Sequence, residues 1–405
     1  MRDIQLFQLA LGLTPPWQVQ DVEFDPEAGR LDVTLDFPAG SEFSCPECGR
    51  EGCKAHDTTW KEWRHLNFFQ HEAYLRAPVP RVRCPEHGVK QVEVPWARPG
   101  SGFTLLFEAF VLALVKEMPV AAVARLMGEY DTRLWRILHH YVEAGRRDAD
   151  FSDVTRVGAD ETSAKRGQDY ITLFADLEQA RVLFATEGRD ASTFGRFRLD
   201  LMAHGGRPEQ IQELCMDMSG AYVRGAQMHF PLAEVVFDRF HVMKLVNDAV
   251  DQVRREEQKE RPELAKSRYV WLKNPRNLTR RQREMLEELT PNSLGLKTAR
   301  AYQMKLALQE FWELPPSLAE MFLKRWYFWV THSRMRPMVR VAKTLKEHWD
   351  GLLHWFDARV SNGLLEGINS LVQAAKAKAR GYRSTKNLIT MVYLISGKLR
   401  FPLPT

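Results

Sequence analysis

The sequence predicts a multidomain α+β chain, and three observations carry that expectation. The first is size: 405 residues, 44% hydrophobic and 27% charged, imply about two or three domains at roughly 150 residues each. The second is the crowding of four of the five cysteines into positions 45 to 84, among strand-like runs. The third is a change of period, from short apolar runs between Val154 and Phe237 to a long, charge-rich helical pattern from Leu245 to about Trp355.

Taken in order, Val22 to Phe37 reads as strand, turn and strand around Asp25-Pro26-Glu27-Ala28-Gly29. A second small module holds Cys45 to Gly88, and Val94 to Gly102 carries enough Pro and Gly for a linker. Phe103 to Lys116 has helical spacing, Pro119 suits the first position of a helix through Met127, and Gly128 suits a left-handed cap before a third helix from Asp131. Val157 to Asp160 and Tyr170 to Leu177 read as strands, followed by short apolar runs at Ile211 to Met216 and Val235 to Phe237. Leu364 to Arg380 and Leu388 to Leu399 are again helical, and no internal repeat is visible.

Composition excludes several classes. Net charge is a mild +5, which argues against a low-complexity polyelectrolyte. The longest apolar runs, around Phe107 to Val115 and Leu388 to Ile395, fall short of the roughly 18 residues of a membrane span. Met1-Arg2-Asp3-Ile4 does not open a secretory signal. A cytoplasmic location is therefore expected, with no membrane contact.

Cys45-x2-Cys48 and Cys84-x2-His87 have the ligand spacing of zinc knuckles, and thiolate with imidazole suits tetrahedral zinc. Cys53-x2-His56 is an alternative pair. The shared wording C-P-E-[CH]-G favours Cys45, Cys48, Cys84 and His87, against the plain alternative of buried free thiols. Four protein ligands leave no open position, so such a zinc is structural.

Pro119 to Met127, Gly128-Glu129-Tyr130 and the helix from Asp131 have helix-turn-helix spacing. Arg133 and Arg136 would then face bases or phosphates. The same spacing occurs in ordinary helical hairpins, so the segment alone leaves DNA binding and packing both open. Basic clusters at Lys376, Lys378, Arg380, Arg383 and Lys386, and at Arg276, Arg280, Arg281 and Arg283, add weight to a nucleic-acid partner. The run Phe322 to Trp329 mixes rings with Lys324 and Arg325; helical core packing is favoured there over base stacking.

Carboxylates form the last set. Asp160 and Asp217 each end a strand-like run, and Glu366 lies on a helical stripe with Asn362, Asn369, Ser370 and Gln373. Two strand-end aspartates and a helical glutamate supply the hard oxygen ligands that two Mg²⁺ ions require. Glu161 directly follows Asp160 and is expected on the opposite strand face. Cys215 sits among apolar neighbours and is expected to be inert.

These pieces together resemble the ISL3 family of bacterial insertion-sequence transposases, which are Asp-Asp-Glu enzymes. The matching stretches are Cys45-Pro46-Glu47-Cys48-Gly49 with Cys84, the helix-turn-helix, Gly158-Ala159-Asp160-Glu161, Met216-Asp217-Met218-Ser219, Phe237-Asp238-Arg239-Phe240-His241, and Ser361-Asn362-Gly363 to Glu366-Gly367-Ile368-Asn369. The resemblance implies a ribonuclease-H-like α/β core over 152–244 and 356–405, interrupted by a helical insertion over 245–355. Ahead of it lie a β element and zinc module over 1–95 and a helix-turn-helix over 103–147. It makes Asp160, Asp217 and Glu366 the catalytic triad, with Asp238, His241 and Asn369 in support.

The implied chemistry is DNA cleavage and strand transfer with two Mg²⁺ ions, Mn²⁺ a substitute, about 3.5 to 4 Å apart. The implied partners are the element's terminal inverted repeats and target DNA, at the nucleoid, with a homodimer in the synaptic complex. Lys376, Lys378, Arg380 and Arg383 would hold phosphates. Two departures stand out: the distal knuckle ends in His87 rather than cysteine, and Gln373 replaces an expected Lys or Arg seven residues after Glu366, leaving Lys376 as a substitute phosphate contact. The competing readings are a non-catalytic zinc and helix-turn-helix regulator and a nuclease without strand transfer.

Overall fold

The computed structural model describes residues 3–165, 169–289, 295–358, 363–401 and 403. They form two compact units, Met1–Gly145 with two short C-terminal returns, and Arg146–Ala377 with Gly381–Leu399.

The first unit opens with α1 (Asp3–Ala10), then β1 (Gln18–Asp25), β2 (Arg30–Asp36), β3 (Glu42–Phe43), β4 (Cys53–Phe68), β5 (His71–Cys84) and β6 (Gly88–Gln91). The expected strand, turn and strand is the β1–β2 hairpin, and β2 alternates strictly between buried and half-buried positions. The two modules read separately from the sequence are one sheet, because β2 pairs in parallel with β5 across a gap of more than thirty residues. A core of Trp17, Leu35, Trp63, Leu75 and Val79 lies under it.

The expected linker is a packed strap. Trp96 is buried, its ring 4.9 Å from Trp17 and 5.5 Å from Trp63. Arg98 and Ser101 both bond the buried Glu108 carboxylate, which also accepts from Tyr141 Oη at 2.6 Å. Pro and Gly shape the turn there, but one tryptophan decides its burial.

Glu108 belongs to α2 (Leu105–Glu117), capped by the Thr104 hydroxyl. Then come α3 (Val120–Met127) and α4 (Asp131–Arg147). Pro119 is the extended N-cap of α3 rather than its first residue, and Gly128 closes α3 with φ +68°.

The second unit begins with β7 (Arg156–Ser163), β8 (Tyr170–Asp176) and β9 (Arg181–Glu187), followed by α5 (Ser192–Ala203), β10 (Glu213–Met216), α6 (Gly220–His229), β11 (Glu234–Phe237) and α7 (Arg239–Glu257). The sheet order is β11-β10-β7-β8-β9, with β7, β8 and β9 antiparallel and β10 parallel to both β7 and β11. That is the ribonuclease-H-like arrangement. All four residues of β10 are buried, as a parallel strand covered on both faces requires. Phe174, Phe194, Phe197 and Tyr222 fill the core.

Helices α8 (Arg268–Leu272), α9 (Arg280–Leu289), α10 (Lys297–Phe311), α11 (Pro316–Thr331), α12 (Arg336–Glu347) and α13 (Trp349–Ala358) then pack around Val246, Trp271, Phe311 and Trp326. The sequence divisions at 244/245 and 355/356 fall inside α7 and α13, because both helices run continuously out of the sheet layer into the insertion. α14 (Gly363–Lys378) and α15 (Thr385–Ser396) complete the unit. In α11, Leu323, Trp326 and Val330 are buried while Phe328 and Trp329 are exposed, so one face of the aromatic run is core.

Candidate active site and metal centre

Strand register brings three acids side by side. Gly158 pairs with Cys215 and Met216 with Phe237. Asp160, Asp217 and Asp238 therefore occupy adjacent positions. Asp217 and Asp238 directly follow the last residues of β10 and β11. Asp160 does not end its strand as the sequence suggested, because β7 runs on to Ser163 paired with β8; it lies just beyond the stretch of β7 that pairs with β10.

Two donors fix the Asp160 carboxylate. Oδ1 accepts from the Glu161 backbone N–H at 2.8 Å, and Oδ2 accepts from Asn369 Nδ2 at 2.7 Å. Burial raises this carboxyl to about 6; Asp217 and Asp238 push the same way, while the Glu161 N–H and His241 oppose. Asp217 Oδ1 accepts from Ser219 N–H at 2.9 Å. Asp238 is buried at the N-terminus of α7, its Oδ2 3.3 Å from His241 Nδ1 without hydrogen-bond alignment. Asp238 is also the main reason the imidazole is held above its ordinary range.

Asn369 lies on α14, whose inward stripe runs along β7. Gln373 Nε2 donates to Thr162 Oγ1 at 2.6 Å and Lys376 Nζ to the Ser163 carbonyl at 2.7 Å. The spacings 369, 373 and 376 on the helix thus meet 160, 162 and 163 on the strand. Glu366 stands one turn before Asn369 and is exposed; burial raises its carboxyl, Asp238 adds to the rise and His241 opposes it. Ser361 and Asn362 lie outside the described residues, and Ser370 faces solvent.

Other expectations change at this point. Lys376, proposed as a substitute phosphate contact, spends its ammonium on a strand carbonyl, and Lys378 donates to the Glu117 carbonyl at 2.9 Å. Arg380 and Arg383 are exposed. Arg133 does not project freely from α4, since Glu129 holds it at 2.7 Å and its guanidinium lies 4.3 Å from the Phe103 ring centre. Arg136 is exposed. Glu161 pairs with Arg189 at 3.7 Å, and burial raises its carboxyl with Asp217 contributing, so it stays within electrostatic reach of the acids. Cys215 is buried and its thiol is pushed far up by burial, as an inert thiol should be.

Among the described residues, these acids do not draw together into a ready ligand cluster for one ion. Their chemistry suits a hard cation nonetheless. Asp238 Oδ2 and Asn369 Oδ1 are buried oxygens without a hydrogen-bond partner among the described residues, and a buried carboxylate oxygen needs a positive partner.

The first unit holds the tighter cluster. Ligand atoms of Cys45, Cys48, Cys84 and His87 all lie within 4.8 Å of one another. Cys48 Sγ is 3.8 Å from Cys84 Sγ, and His87 Nδ1 is 3.7 Å from Cys84 Sγ and 3.9 Å from Cys45 Sγ. Bonds of about 2.3 Å to sulfur give a tetrahedral edge of about 3.8 Å, so the four fit zinc. The Cys48 backbone N–H holds the Cys45 thiol below its ordinary range and the Glu86 N–H does so for Cys84, which favours the thiolate that metal binding needs. Cys53 instead donates to the Arg50 carbonyl and His56 is exposed, so the alternative pair stays outside the cluster.

A family model for the ISL3 DDE type, described as Transposase, matches residues 157–392, more than half of the chain. The chain belongs to the ISL3 transposase family. Two further models match, the helix-turn-helix domain of transposase family ISL3 over 92–142 and the zinc-finger of transposases IS204, IS1001, IS1096 and IS1165 over 41–87. This ISL3 transposase is 28% identical to the transposase for insertion sequence element IS1557 of Mycobacterium tuberculosis, with 100% of this chain and 98% of the relative covered. It is also 28% identical to the transposase for insertion sequence element IS1001 of Bordetella parapertussis, with 95% and 96% covered. It is an enzyme acting on DNA. No helix among its described residues is long and apolar enough to cross a membrane.

Proposed function

We propose that this transposase binds the terminal inverted repeats of its insertion sequence and cuts and joins DNA with two Mg²⁺ ions, Mn²⁺ serving as substitute, held by Asp160, Asp217 and Glu366. The observation that carries the reading is the Asn369–Asp160 hydrogen bond. It ties the helix bearing Glu366 to the strand bearing Asp160, next to the strands that lead into Asp217 and Asp238.

In this reading Asp160 is pre-oriented by its two donors, so little side-chain freedom is lost when it takes a ligand. Asn369 is a positioning residue for Asp160. Asp238 supplies further negative charge beside Asp217, and His241 partly neutralises it. Bound cations supply activation of the attacking oxygen and stabilisation of the leaving one. The carboxylates orient them, and no covalent intermediate on the protein is needed.

The remaining assignments are of the same standing. Zinc held by Cys45, Cys48, Cys84 and His87 clamps the 1–95 module, and 103–147 reads the repeats, with Arg136 the exposed reader and Arg133 a braced one. Residues 152–244 and 356–405 form the catalytic core around the 245–355 insertion, and Arg380 and Arg383 lie where phosphates pass. A homodimer pairs two ends at the nucleoid.

The test is excision and strand transfer from a donor plasmid carrying the element's own ends, comparing wild type with Glu366→Gln and scoring end binding in parallel. The variant should bind ends and neither cut nor join them. A variant that cuts like wild type removes Glu366 from the set. A wild type that binds but never cuts with Mg²⁺ or Mn²⁺ is a regulator, and one that cuts without joining is a nuclease.

A further inference from the structure

The helical insertion carries a basic surface that the cleavage chemistry does not use. From Ala265 to Arg283 the chain has seven Lys and Arg and no Asp or Glu. Arg276, Arg280, Arg281 and Arg283 are exposed. Arg280 makes one pair, with Glu284 at 2.9 Å, and its side chain is still 94% exposed. Arg276, Arg281 and Arg283 have no ion pair among the described residues.

The charge order of α9 runs against its own dipole. Three arginines occupy its first turn and Glu287 and Glu288 its last, with no acid at the start and no base at the end. A helix N-terminus disfavours nearby cations by about 0.3 to 1 kcal/mol each. Folding stability therefore gives no reason for this arrangement, whereas an anion placed over the arginines reverses the sign of the interaction.

The backbone that presents these side chains is locked. The buried Lys305 ammonium donates to the carbonyls of Trp271, Leu272 and Lys273 at 3.1, 2.6 and 3.3 Å, closing the end of α8. Lys273 Nζ donates to Gln282 Oε1 at 3.2 Å, and Gln309 Nε2 to Asn274 Oδ1 at 2.5 Å. Thr279 and Gln282 cap α9 reciprocally: the Gln282 N–H donates to the Thr279 hydroxyl and the Thr279 N–H to the Gln282 side chain. A fixed turn holding four guanidiniums loses little order on binding a repeating polyanion.

We propose that Arg276, Arg280, Arg281 and Arg283 form a second DNA-contacting surface, on the insertion, that grips the phosphate backbone of duplex DNA without reading its sequence. The choice of DNA as the polyanion rests on the chain being a DNA transposase, and the surface itself is distinct from the end-reading assigned to the first unit.

The test uses the full-length protein with two labelled duplexes of equal length, one carrying the element's end and one scrambled, titrated over a series of salt concentrations. The fourfold variant R276A/R280A/R281A/R283A is compared with wild type and with the charge-keeping fourfold lysine variant. Each lost phosphate contact lowers the slope of log affinity against log salt by about 0.9, so the alanine variant should lose roughly 2 to 4 from the slope on both duplexes. Its preference for the end should stay, because phosphate contacts carry no sequence information, and the lysine variant should keep most of the slope. Its thermal midpoint should not fall, since cations leave a helix N-terminus.

Unchanged slope and affinity in the alanine variant overturn the proposal, as does a loss confined to the end-bearing duplex. A wild type that binds both duplexes equally while the variant still loses slope would sink the end-reading assignment and leave the surface standing. A wild type that binds neither duplex refutes both.

Discussion

Replacing Asp160 with asparagine should make the metal-free protein more stable while abolishing its chemistry. The carboxyl is raised from 3.8 to about 6 chiefly by burial, so the folded state holds the proton more tightly than the unfolded one. Stability therefore falls as pH rises from about 4 to about 6 and stays lowered above that. The raised pKa corresponds to about 3 kcal/mol at neutral pH. Asparagine removes the charge but keeps one acceptor oxygen for two donors, the Glu161 N–H and Asn369 Nδ2, which returns about 1 kcal/mol. The net gain is about 2 kcal/mol. Thermal or urea unfolding in excess chelator measures it at pH 7.5 and again at pH 4. The gap between variant and wild type should be full at the higher pH and nearly gone at the lower. With Mg²⁺ added, only wild type should be stabilised. A variant less stable than wild type at pH 7.5 without metal, or a gap independent of pH, would refute the reasoning.

Three further outcomes are expected. Asn369→Leu removes a hydrogen bond to an ionised group worth about 1.5 to 3 kcal/mol; cleavage should slow by roughly 10- to 100-fold with end binding unchanged, and a normal cleavage rate would end Asn369's positioning role. Cys84→Ser should lose one equivalent of zinc by metal analysis and unfold the first unit at lower temperature, as chelation of wild type should; an unaltered zinc content would show that the four-ligand set is misassigned. Gly351→Ala places a Cβ 2.4 Å from Phe237 Cε2 and 2.9 Å from the Val235 carbonyl; it should cost about 1 to 3 kcal/mol by overpacking, read by denaturant unfolding, and an unchanged midpoint would mean that α13 simply moves off β11.

The Cys and His cluster was legible because two short motifs repeat their wording, and equivalent turns end at Gly49 and Gly88 with φ +70° and +69°. The polar stripe of α14 was legible from spacing alone, and Asn369 and Gln373 do face a neighbour. What spacing could not supply was the neighbour's identity. The acceptors Thr162 and Ser163 belong to a strand two hundred residues away, so Lys376 read as a free cation when it is a strap across β7. The parallel pairing of β2 with β5 was hidden for the same reason, since nothing local marks which distant strand a parallel partner will be. Trp96 was misread because Pro and Gly were weighed as punctuation, while the apolar ring between them decides whether the segment is buried. Glu161 shows the limit of alternation: a side chain on the other strand face can remain in the field of its neighbour's site when it is long and partly buried.

The bond between Asn369 and Asp160 joins positions 209 residues apart, and this gives the protein a timetable. On a ribosome moving at about 5–20 residues/s, roughly 7 to 30 s pass between the synthesis of Asp217 and that of Glu366. Throughout that interval the nascent chain already has the Cys and His cluster, the helix-turn-helix, Asp160 and Asp217. It has neither the glutamate nor the amide that orients Asp160. A chain terminated anywhere before α14 is left in that condition permanently. On the proposed assignment, the capacity to break DNA is conferred by one of the last helices to be made, and an unfinished copy would hold DNA without cutting it.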